Sequence, residues 1–373
     1  MNTKILKADE ESILTAAEIL KNGGLVAFPT ETVYGLGGNA LSPDASRAIY
    51  AAKGRPSDNP LIVHIADTAS VQELAAEIPE KAFALMEAFW PGPLTIILPK
   101  KDIVPSQTTG GLDTVAIRMP SHPAAMELIR KSGVYIAAPS ANTSGRPSPT
   151  TAEHVIEDMN GRIEAIIDGG PVGIGIESTI VDLTSDIPTI LRPGFITKKQ
   201  LEAIIGEVKI DPAIIHPDPN LRPKAPGMKY THYAPKGKLT IVEKNESEKS
   251  AESDTSDSAH SDSANSDLAH SDSGMQAVYD KINFLYTEKK SEGFNVLILA
   301  PEEHLQYYDI DSVITVGNVG SGETVAARLY SALRECDKRN AEFIYSESFR
   351  DYDLGGAIMN RLLKAAGQDI IYV

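Results

Sequence analysis

The chain has 373 residues, of which 42% are hydrophobic, and a formal net charge of -16. This length allows two domains, and the acidic balance argues against a protein that coats nucleic acid through a broad basic surface. One cysteine, Cys336, excludes an intrachain disulfide and a cysteine-based zinc site. Because no apolar run reaches the ~18 residues of a membrane span, and the N-terminus is acidic where a signal peptide is apolar, we expect a cytoplasmic protein without membrane contact.

Residues 1–206 are predicted to form a large α/β domain around one twisted, mixed sheet. A helix over residues 11–22 precedes an apolar strand that stops at "PTET". Later apolar runs such as "NPLIVHIAD", "PLTIILPK" and "ESTIVDLT" are typical of further strands. Additional helices are expected at 42–52, 71–88, 123–131 and 151–160.

Residues 207–237 are predicted to be an ordered linker, and residues 238–373 a smaller, Rossmann-like α/β domain. The linker contains "DPNLRPKAPGMKYTHYAPKG", in which prolines and glycines argue against regular structure. In the C-terminal part, strand and helix patterns alternate, which indicates a parallel sheet. The strands are expected at 239–242, 295–300, 313–316 and 342–345, and the helices at 275–290, 324–339 and 355–366.

An acidic segment, residues 245–274, is inserted after the first strand of the C-terminal domain. It carries eight acids against one lysine and has a single sizeable apolar residue. Such a composition cannot bury enough apolar surface to offset the entropy of ordering, so we predict a disordered insertion. Its histidines and serines leave a metal-binding or phosphorylated segment as the alternative.

Cationic side chains in the first domain are the strongest indication of a binding site. Lys53 and Arg55 in "KGRPSDNP" suit a rigid grip on phosphate, although solvated loop charges are the plainer interpretation. Arg118 lies inside the apolar "TVAIRMP", and Arg192 follows the apolar "TIL". Burying either one requires an anion, which can be a protein carboxylate or a ligand carboxylate or phosphate.

Several polar side chains accompany these cations. His64 alternates with apolar residues and is either a core histidine or a ligand contact. Ser140 and Asn142 in "APSANTSG" can form a turn or face a nucleotide. "GIESTIVDL" contributes Glu177 and Ser178. Separated cations and hydroxyls without an evident nucleophile suit phosphoryl or nucleotidyl transfer, in which positioning and charge neutralisation supply most of the rate.

Seven segments in order resemble the YrdC-type threonylcarbamoyl-AMP synthases: "PTETVYGLGGNA", "KGRPSDNPLIVHI", "PGPLTIIL", "VAIRMPSHP", "APSANTSGRPSPT", "IDGGPVGIGIESTIVDL" and "ILRPG". The linker segment "PGMKYTHYAP" and the C-terminal domain resemble the long, two-domain form of that family. The resemblance implies a nucleotidyltransferase that converts L-threonine, bicarbonate and ATP into threonylcarbamoyl-AMP, pyrophosphate and water. Mg²⁺ would accompany ATP, and the product would pass to the machinery that makes threonylcarbamoyladenosine next to the anticodon of tRNA.

The resemblance also implies roles for individual residues, with no metal-ligating residue among them. Lys53 and Arg55 are expected to be catalytic. Threonine or its carbamate would be contacted by Thr32, His64, Arg118, Ala138 and Ser178. ATP would be contacted by Arg55, Asn59, Thr114, Ser140, Asn142, Ser148, Arg192 and Tyr230. His232 and Tyr233 would form a lid.

Two rival functions stay open at this point. One is a module that binds double-stranded RNA without catalysis, and a weak RNA contact is also compatible with the synthase. The other is a component of a related carbamoyl-transfer system, which would need zinc-finger-like cysteines or extra domains. The sequence leaves the role of Glu31 open. It can orient a neighbouring arginine or lysine, and we do not assign it as a general base. The sequence also does not fix the role of the C-terminal domain.

Overall fold

The structure is a computed structural model that describes residues 2–214, 223–226, 232–245 and 266–373, with the side chains of 266–273 excepted. Two predicted features lie outside the described residues. They are Tyr230 and residues 246–265 of the acidic segment.

The first 214 residues supply one set of strands and helices. The strands are β1 (Lys4–Lys7), β2 (Val26–Phe28), β3 (Gly35–Asn39), β4 (Ile62–His64), β5 (Leu94–Pro99), β6 (Thr114–Arg118), β7 (Ile136–Ala138), β8 (Ala165–Asp168), β9 (Thr179–Asp182), β10 (Thr189–Arg192) and β11 (Lys209–Ile210). The helices are α1 (Glu10–Lys21), α2 (Pro43–Lys53), α3 (Val71–Leu74), α4 (Glu80–Phe89), α5 (Pro123–Ser132), α6 (Ala152–Met159) and α7 (Lys198–Ile205).

These strands form one mixed sheet in the order β1-β8-β2-β3-β7-β4-β6-β5-β9-β10-β11, which confirms the predicted mixed α/β fold. Successive side chains of a strand point to opposite faces. Val63, Ile117 and Ala137 face the larger hydrophobic core. On the other face, α1 and α5 cover β2, β7 and β8 through a second apolar cluster. The central strands β4 and β6 lie beyond these two helices, so this part of the sheet face is covered by other segments.

The prediction of one helix over residues 71–88 is wrong, because this segment forms two helices. Helix α3 ends at Leu74 and α4 begins at Glu80. Pro79 stands between them in the extended conformation, and the residue before a proline is disfavoured in a helix. Strands β1, β3, β10 and β11 were not predicted.

The C-terminal part contains the strands β12 (Lys238–Glu243), β13 (Val296–Ala300), β14 (Val313–Thr315), β15 (Phe343–Glu347) and β16 (Ile370–Tyr372), and the helices α8 (Ser266–Ser291), α9 (Gly322–Lys338) and α10 (Gly355–Ala365). All the strand pairs are parallel, in the order β14-β13-β15-β12-β16. The parallel α/β prediction is therefore confirmed. The order differs from the usual Rossmann arrangement because β15 lies between β13 and β12. Helix α8 begins at Ser266 rather than at residue 275, so residues 266–274 are helical and not disordered as predicted.

Helices α9 and α10 pack against the first domain through buried charged groups. Arg334 of α9 donates to Asp158 of α6 at 2.8 Å, and Arg146 also pairs with Asp158. Asp158 accepts from the backbone N–H of Thr143 as well, at 3.2 Å. Because Thr143 follows Asn142, this contact links residues 140–142, which we call the S-x-N segment, to the C-terminal domain.

Candidate functional site

A cavity lies on the same sheet face as α1 and α5, over the part near β4 and β6 that these two helices do not cover. Ile62 and His64 are two residues apart on β4 and share this face, and the parallel register sets His64 beside Arg118 of β6. Ala138 of β7 pairs with Ile62. His64 and Arg118 therefore lie within strands, where period-two alternation places their side chains together.

Most of the residues predicted for the site line this cavity. They are Thr32, Lys53, Arg55, His64, Arg118, Ala138, Ser140, Asn142, Arg192, His232 and Tyr233. Ser178 lies one contact away, since its hydroxyl oxygen accepts from Arg192 at 3.1 Å. Asn59 and Ser148 are also one contact away, and Thr114 lies at the opposite end of β6 from Arg118.

Arg118 has a protein carboxylate as its partner. Its Nη2 donates to Glu31 Oε1 at 2.6 Å, and Glu31 Oε2 accepts from the backbone N–H of Ser121 at 3.1 Å. Burial would raise the pKa of Glu31, but Arg118 outweighs it and the pKa is lowered. Glu31 is thus ionised, and its carboxylate orients Arg118. The sequence had left the role of Glu31 open.

His64 is a neutral group in this cavity. Burial, followed by the charge of Arg118, lowers its pKa to about 3. Its Nδ1 lies 3.1 Å from the carbonyl oxygen of Ile62, so Nδ1 carries the proton and Nε2 is the acceptor. Nearby, Thr30 Oγ1 donates to the carbonyl oxygen of Val33 at 2.6 Å and lies 2.9 Å from Thr32 Oγ1. Strand β2 is therefore followed by an ordered pair of hydroxyls, of which the sequence prediction named only Thr32.

Lys53 is held by the S-x-N segment. It is the last residue of α2, and Gly54 ends the helix in the left-handed conformation at φ 64°, which favours glycine. Lys53 Nζ donates to the carbonyl oxygens of Ser140 and Asn142 at 2.5 Å each. Burial, followed by the charge of Arg55, lowers the pKa of Lys53 well below its usual value.

Arg55, which is half-buried, and Arg192, which is buried, are two further cations that line the cavity with Lys53. Arg55 Nη2 donates to the carbonyl oxygens of Asn59 at 3.3 Å and Pro60 at 3.1 Å. Arg192 Nε donates to the carbonyl oxygen of Ser178 at 3.0 Å. Burial lowers the pKa of each arginine to about 10, so both stay cationic at neutral pH. The hydrogen bonds described here join these two arginines to neutral carbonyl and hydroxyl groups, while the carboxylate of Glu177 acts on Arg192 through its charge.

The end of the linker covers the cavity. The ring of Tyr233 packs on Tyr330 of α9 with centroids 5.1 Å apart, and the backbone N–H of Ala234 donates to the carbonyl oxygen of Gly145 at 2.9 Å. His232 is half-buried, its Nε2 atom is shielded from solvent without a hydrogen-bond partner within the described residues, and burial lowers its pKa to about 3. Ala225 joins the apolar cluster over β4, β5, β6, β9 and β10.

Glu177 is a cavity residue to which the sequence prediction gave no role. Its carboxylate accepts from Ser148 of the first domain and from Tyr330 and Arg361 of the second. The available signal was an acid placed between Ile176 and the apolar β9, where a carboxylate is costly without a partner. Tyr330 and Arg361 are 153 and 184 residues away along the chain, so the sequence did not reveal them as partners.

Within the part of the chain that the structure describes, no helix has both the length and the apolar character of a membrane span. Those residues also contain no group of three or more histidine, cysteine, aspartate or glutamate side chains arranged to hold a metal ion.

Comparison with known proteins agrees with this architecture. A family model described as "Telomere recombination" (Sua5_yciO_yrdC) matches residues 18–194, and one described as "Threonylcarbamoyl-AMP synthase, C-terminal domain" matches residues 196–367. Threonylcarbamoyl-AMP synthase of Bacillus subtilis (strain 168) is 49% identical, covering 99% of this chain and 97% of its own length. That of Pyrococcus abyssi is 45% identical, with coverages of 98% and 97%.

The structural likeness also spans both domains. The crystal structure of Pyrococcus abyssi Sua5 complexed with L-threonine superposes with a TM-score of 0.87 at 44% identity, covering 100% of both chains. Fold and cavity define a two-domain α/β protein with a buried, cation-rich site that a linker covers. The chain belongs to the YrdC-type threonylcarbamoyl-AMP synthase family, in its long two-domain form.

Proposed function

We propose that this protein condenses L-threonine, bicarbonate and ATP to threonylcarbamoyl-AMP, with release of pyrophosphate and water. The product would pass to the machinery that forms threonylcarbamoyladenosine beside the anticodon of tRNA. The observation that carries the proposal is one cavity with two halves. One half contains Arg118, His64 and the side-chain hydroxyls of Thr30 and Thr32. The other half contains Lys53, Arg55 and Arg192.

The half around Arg118 suits an amino acid. A guanidinium has five N–H donors, and Glu31 and the carbonyl oxygen of Gly92 account for two, so others can meet the carboxylate of threonine. Glu31 balances the buried charge while the site is empty. Neutral His64 presents an acceptor nitrogen without adding charge, which suits the hydroxyl or amine of threonine.

The half of the cavity around Lys53, Arg55 and Arg192 suits a nucleoside triphosphate. The neutral amine of threonine would attack the carbon of bicarbonate, and loss of water gives a carbamate. A carbamate oxygen would then attack the α-phosphorus of ATP, forming a P–O bond as the bond to pyrophosphate breaks. Lys53, Arg55 and Arg192 would offset the charge that grows on the phosphoryl oxygens and on the leaving group. Mg²⁺ would enter as part of the substrate, bound to the ATP phosphates.

Exclusion of water supports the same reaction. A carbamate and a mixed anhydride with AMP both hydrolyse readily, so a covered site protects them. The linker residues His232 and Tyr233 line the cavity and pack toward the C-terminal domain. We assign them the role of a lid.

The test is release of pyrophosphate from MgATP with and without L-threonine and bicarbonate. We expect release to require both compounds and to be lost in Arg55→Met. The matched control is Arg47→Met, since Arg47 is an exposed residue of α2 paired with Asp44. The proposed function would be contradicted if pyrophosphate release did not depend on threonine, or if no pyrophosphate were released from MgATP under any of these conditions.

A further inference from the structure

Glu177 is an anion in the half of the cavity that contains three cations. It lines the cavity and is 6% exposed, so its carboxylate is nearly removed from water. An unpaired carboxylate there would repel the phosphates of a nucleotide. Its contacts explain why it does not.

The two carboxylate oxygens of Glu177 bind different domains. Oε1 accepts from Ser148 Oγ at 2.6 Å, within the first domain. Oε2 accepts from Tyr330 Oη at 2.8 Å and from Arg361 Nε at 3.1 Å, both in the C-terminal domain. Arg361 Nη2 also donates to the carbonyl oxygen of Glu177 at 3.3 Å, and Nη1 donates to that of Pro193. Arg361 thus holds both the carboxylate and the residue that follows Arg192.

The charge of Glu177 is balanced inside the protein. Burial would raise its pKa, but Arg361 and Arg192 outweigh burial and hold the pKa at about 2. The carboxylate is therefore ionised at neutral pH, and together with these two arginines it forms a group of net charge +1. Such a group attracts a phosphate rather than repelling it.

The bond to Ser148 fixes the direction of its hydroxyl proton. An ionised carboxylate only accepts hydrogen bonds, so Ser148 donates its proton to Glu177 and faces other partners with its lone pairs. Glu177 lines the cavity, whereas Ser148 is fully buried behind it and holds the carboxylate in place. The described hydrogen bonds of Glu177 do not reach Thr32, His64 or Arg118.

We propose that Glu177 is a positioning residue for ATP, through which the C-terminal domain sets the affinity of the first domain for the nucleotide but not for threonine. This inference rests on the proposed function. Tyr330 and Arg361 fix the carboxylate, and the carboxylate fixes Ser148 and the neighbourhood of Arg192.

The test compares ligand binding in four full-length proteins: wild type, Glu177→Gln, Tyr330→Phe and Ser331→Ala. Ser331→Ala is the matched control, because it removes an interdomain hydrogen bond, to Thr150 Oγ1 at 2.9 Å, whose two residues do not line the cavity. Calorimetry would measure Kd for a non-hydrolysable ATP analogue with Mg²⁺ and, separately, Kd for L-threonine. Circular dichroism and thermal unfolding would check the fold of each variant.

We expect Glu177→Gln to weaken nucleotide binding by about tenfold or more and Tyr330→Phe by about threefold, with Kd for threonine within about twofold of wild type. Ser331→Ala should leave both constants within about twofold. Normal nucleotide binding by folded Glu177→Gln, or equal losses for both ligands, would overturn the inference. If Glu177→Gln fails to fold, the same comparison on Tyr330→Phe decides.

Failure of this inference and failure of the proposed function have different signatures. Pyrophosphate release by the wild type tests the function, whereas the ratio of the two binding losses in the variants tests Glu177. Wild-type protein that makes pyrophosphate while Glu177→Gln binds ATP normally would overturn only the inference. Wild-type protein that binds no ATP would overturn both.

Discussion

Arg118 and Glu31 form a buried pair that leaves the arginine charged and oriented in the cavity. Their side chains are only 5% and 13% exposed, so removing one partner leaves an uncompensated charge in a poorly solvated place. Arginine also offers a planar set of donors that a lysine cannot reproduce for a carboxylate ligand. Substitutions at this position therefore separate ligand recognition from charge alone.

Arg118→Lys is expected to raise KM for L-threonine by about tenfold and KM for ATP by less than about threefold. The lysine keeps a positive charge for Glu31 but loses the paired N–H geometry that a carboxylate matches. Steady-state pyrophosphate release at varied threonine and varied ATP gives both constants. The control is Arg130→Lys on the exposed side of α5. Equal increases in the two KM values would show that Arg118 does not discriminate between the substrates.

His64 is expected to make the protein less stable in mild acid. Its folded pKa of about 3 lies below the ordinary 6.5, so the unfolded chain binds the extra proton as pH falls through this window. Stability from this group is present above about pH 6.5 and is lost progressively toward pH 3. Between pH 7 and pH 5 the loss is about 2 kcal/mol.

Urea unfolding of wild type and His64→Gln at pH 7, 6 and 5 measures this effect. The free energy of unfolding should fall less with pH in His64→Gln, by about 2 kcal/mol at pH 5. Identical pH dependence in the two proteins would show that His64 has the same pKa in the folded and unfolded states, and would contradict a lowered pKa.

At the scale of elements, a glycine permits the close approach of α9 to the first domain. Gly175 has φ +86°, and a Cβ there would lie 2.3 Å from the carbonyl oxygen of Ala326. The backbone N–H of Gly175 donates to the carbonyl oxygen of Thr32 at 3.1 Å, so the same loop also supports the segment that follows β2. Glycine is required here for both conformation and space.

Gly175→Ala is expected to destabilise the protein by more than about 2 kcal/mol and to lower pyrophosphate release, because α9 must move away from the cavity. Gly173→Ala is a matched control two residues away, since no atom lies within 4 Å of its Cβ position and its φ is not positive. Thermal unfolding and activity are the measurements. A similar, small effect of both substitutions would contradict a tight contact at Gly175.

The sequence predicted most elements because their apolar periodicity is strong, and it failed where that signal is weak. Strand β3 reads "GLGGN", and glycine-rich segments score poorly as strands, although pairing with β2 and β7 fixes this one. The end of α8 nearest the insertion carries a composition that argues for disorder. The composition therefore did not predict the first turns of this helix, which begins at Ser266.

At the scale of the whole molecule, two arginines of the C-terminal domain end in buried carboxylates of the first domain. Arg334 meets Asp158, and Arg361 meets Glu177. In the sequence these arginines occupy α9 and α10 patterns in which charges are normally solvent-exposed. Strand and helix periodicity predicted most elements on both sides of the linker, and the family resemblance indicated residues that line the cavity, but neither indicated the contacts between the two parts.

Arg334→Met is expected to lower the free energy of unfolding by about 3 kcal/mol or more, because it leaves the buried Asp158 with a reduced counter-charge. Arg334 is 1% exposed. Arg47→Met removes an exposed pair with Asp44 and should cost at most about 1 kcal/mol. Urea unfolding of both variants decides, and equal small losses would show that the interface pair adds little to stability.

The shared carboxylates constrain how the two domains can be inherited. A foreign C-terminal domain joined to this first domain would have to bring its own partners for the buried carboxylates of Glu177 and Asp158. Tyr330, Arg334 and Arg361 would have to travel as a set. Recombination at the linker is therefore restricted to donors that already carry this set, even though the linker looks like a natural point of exchange.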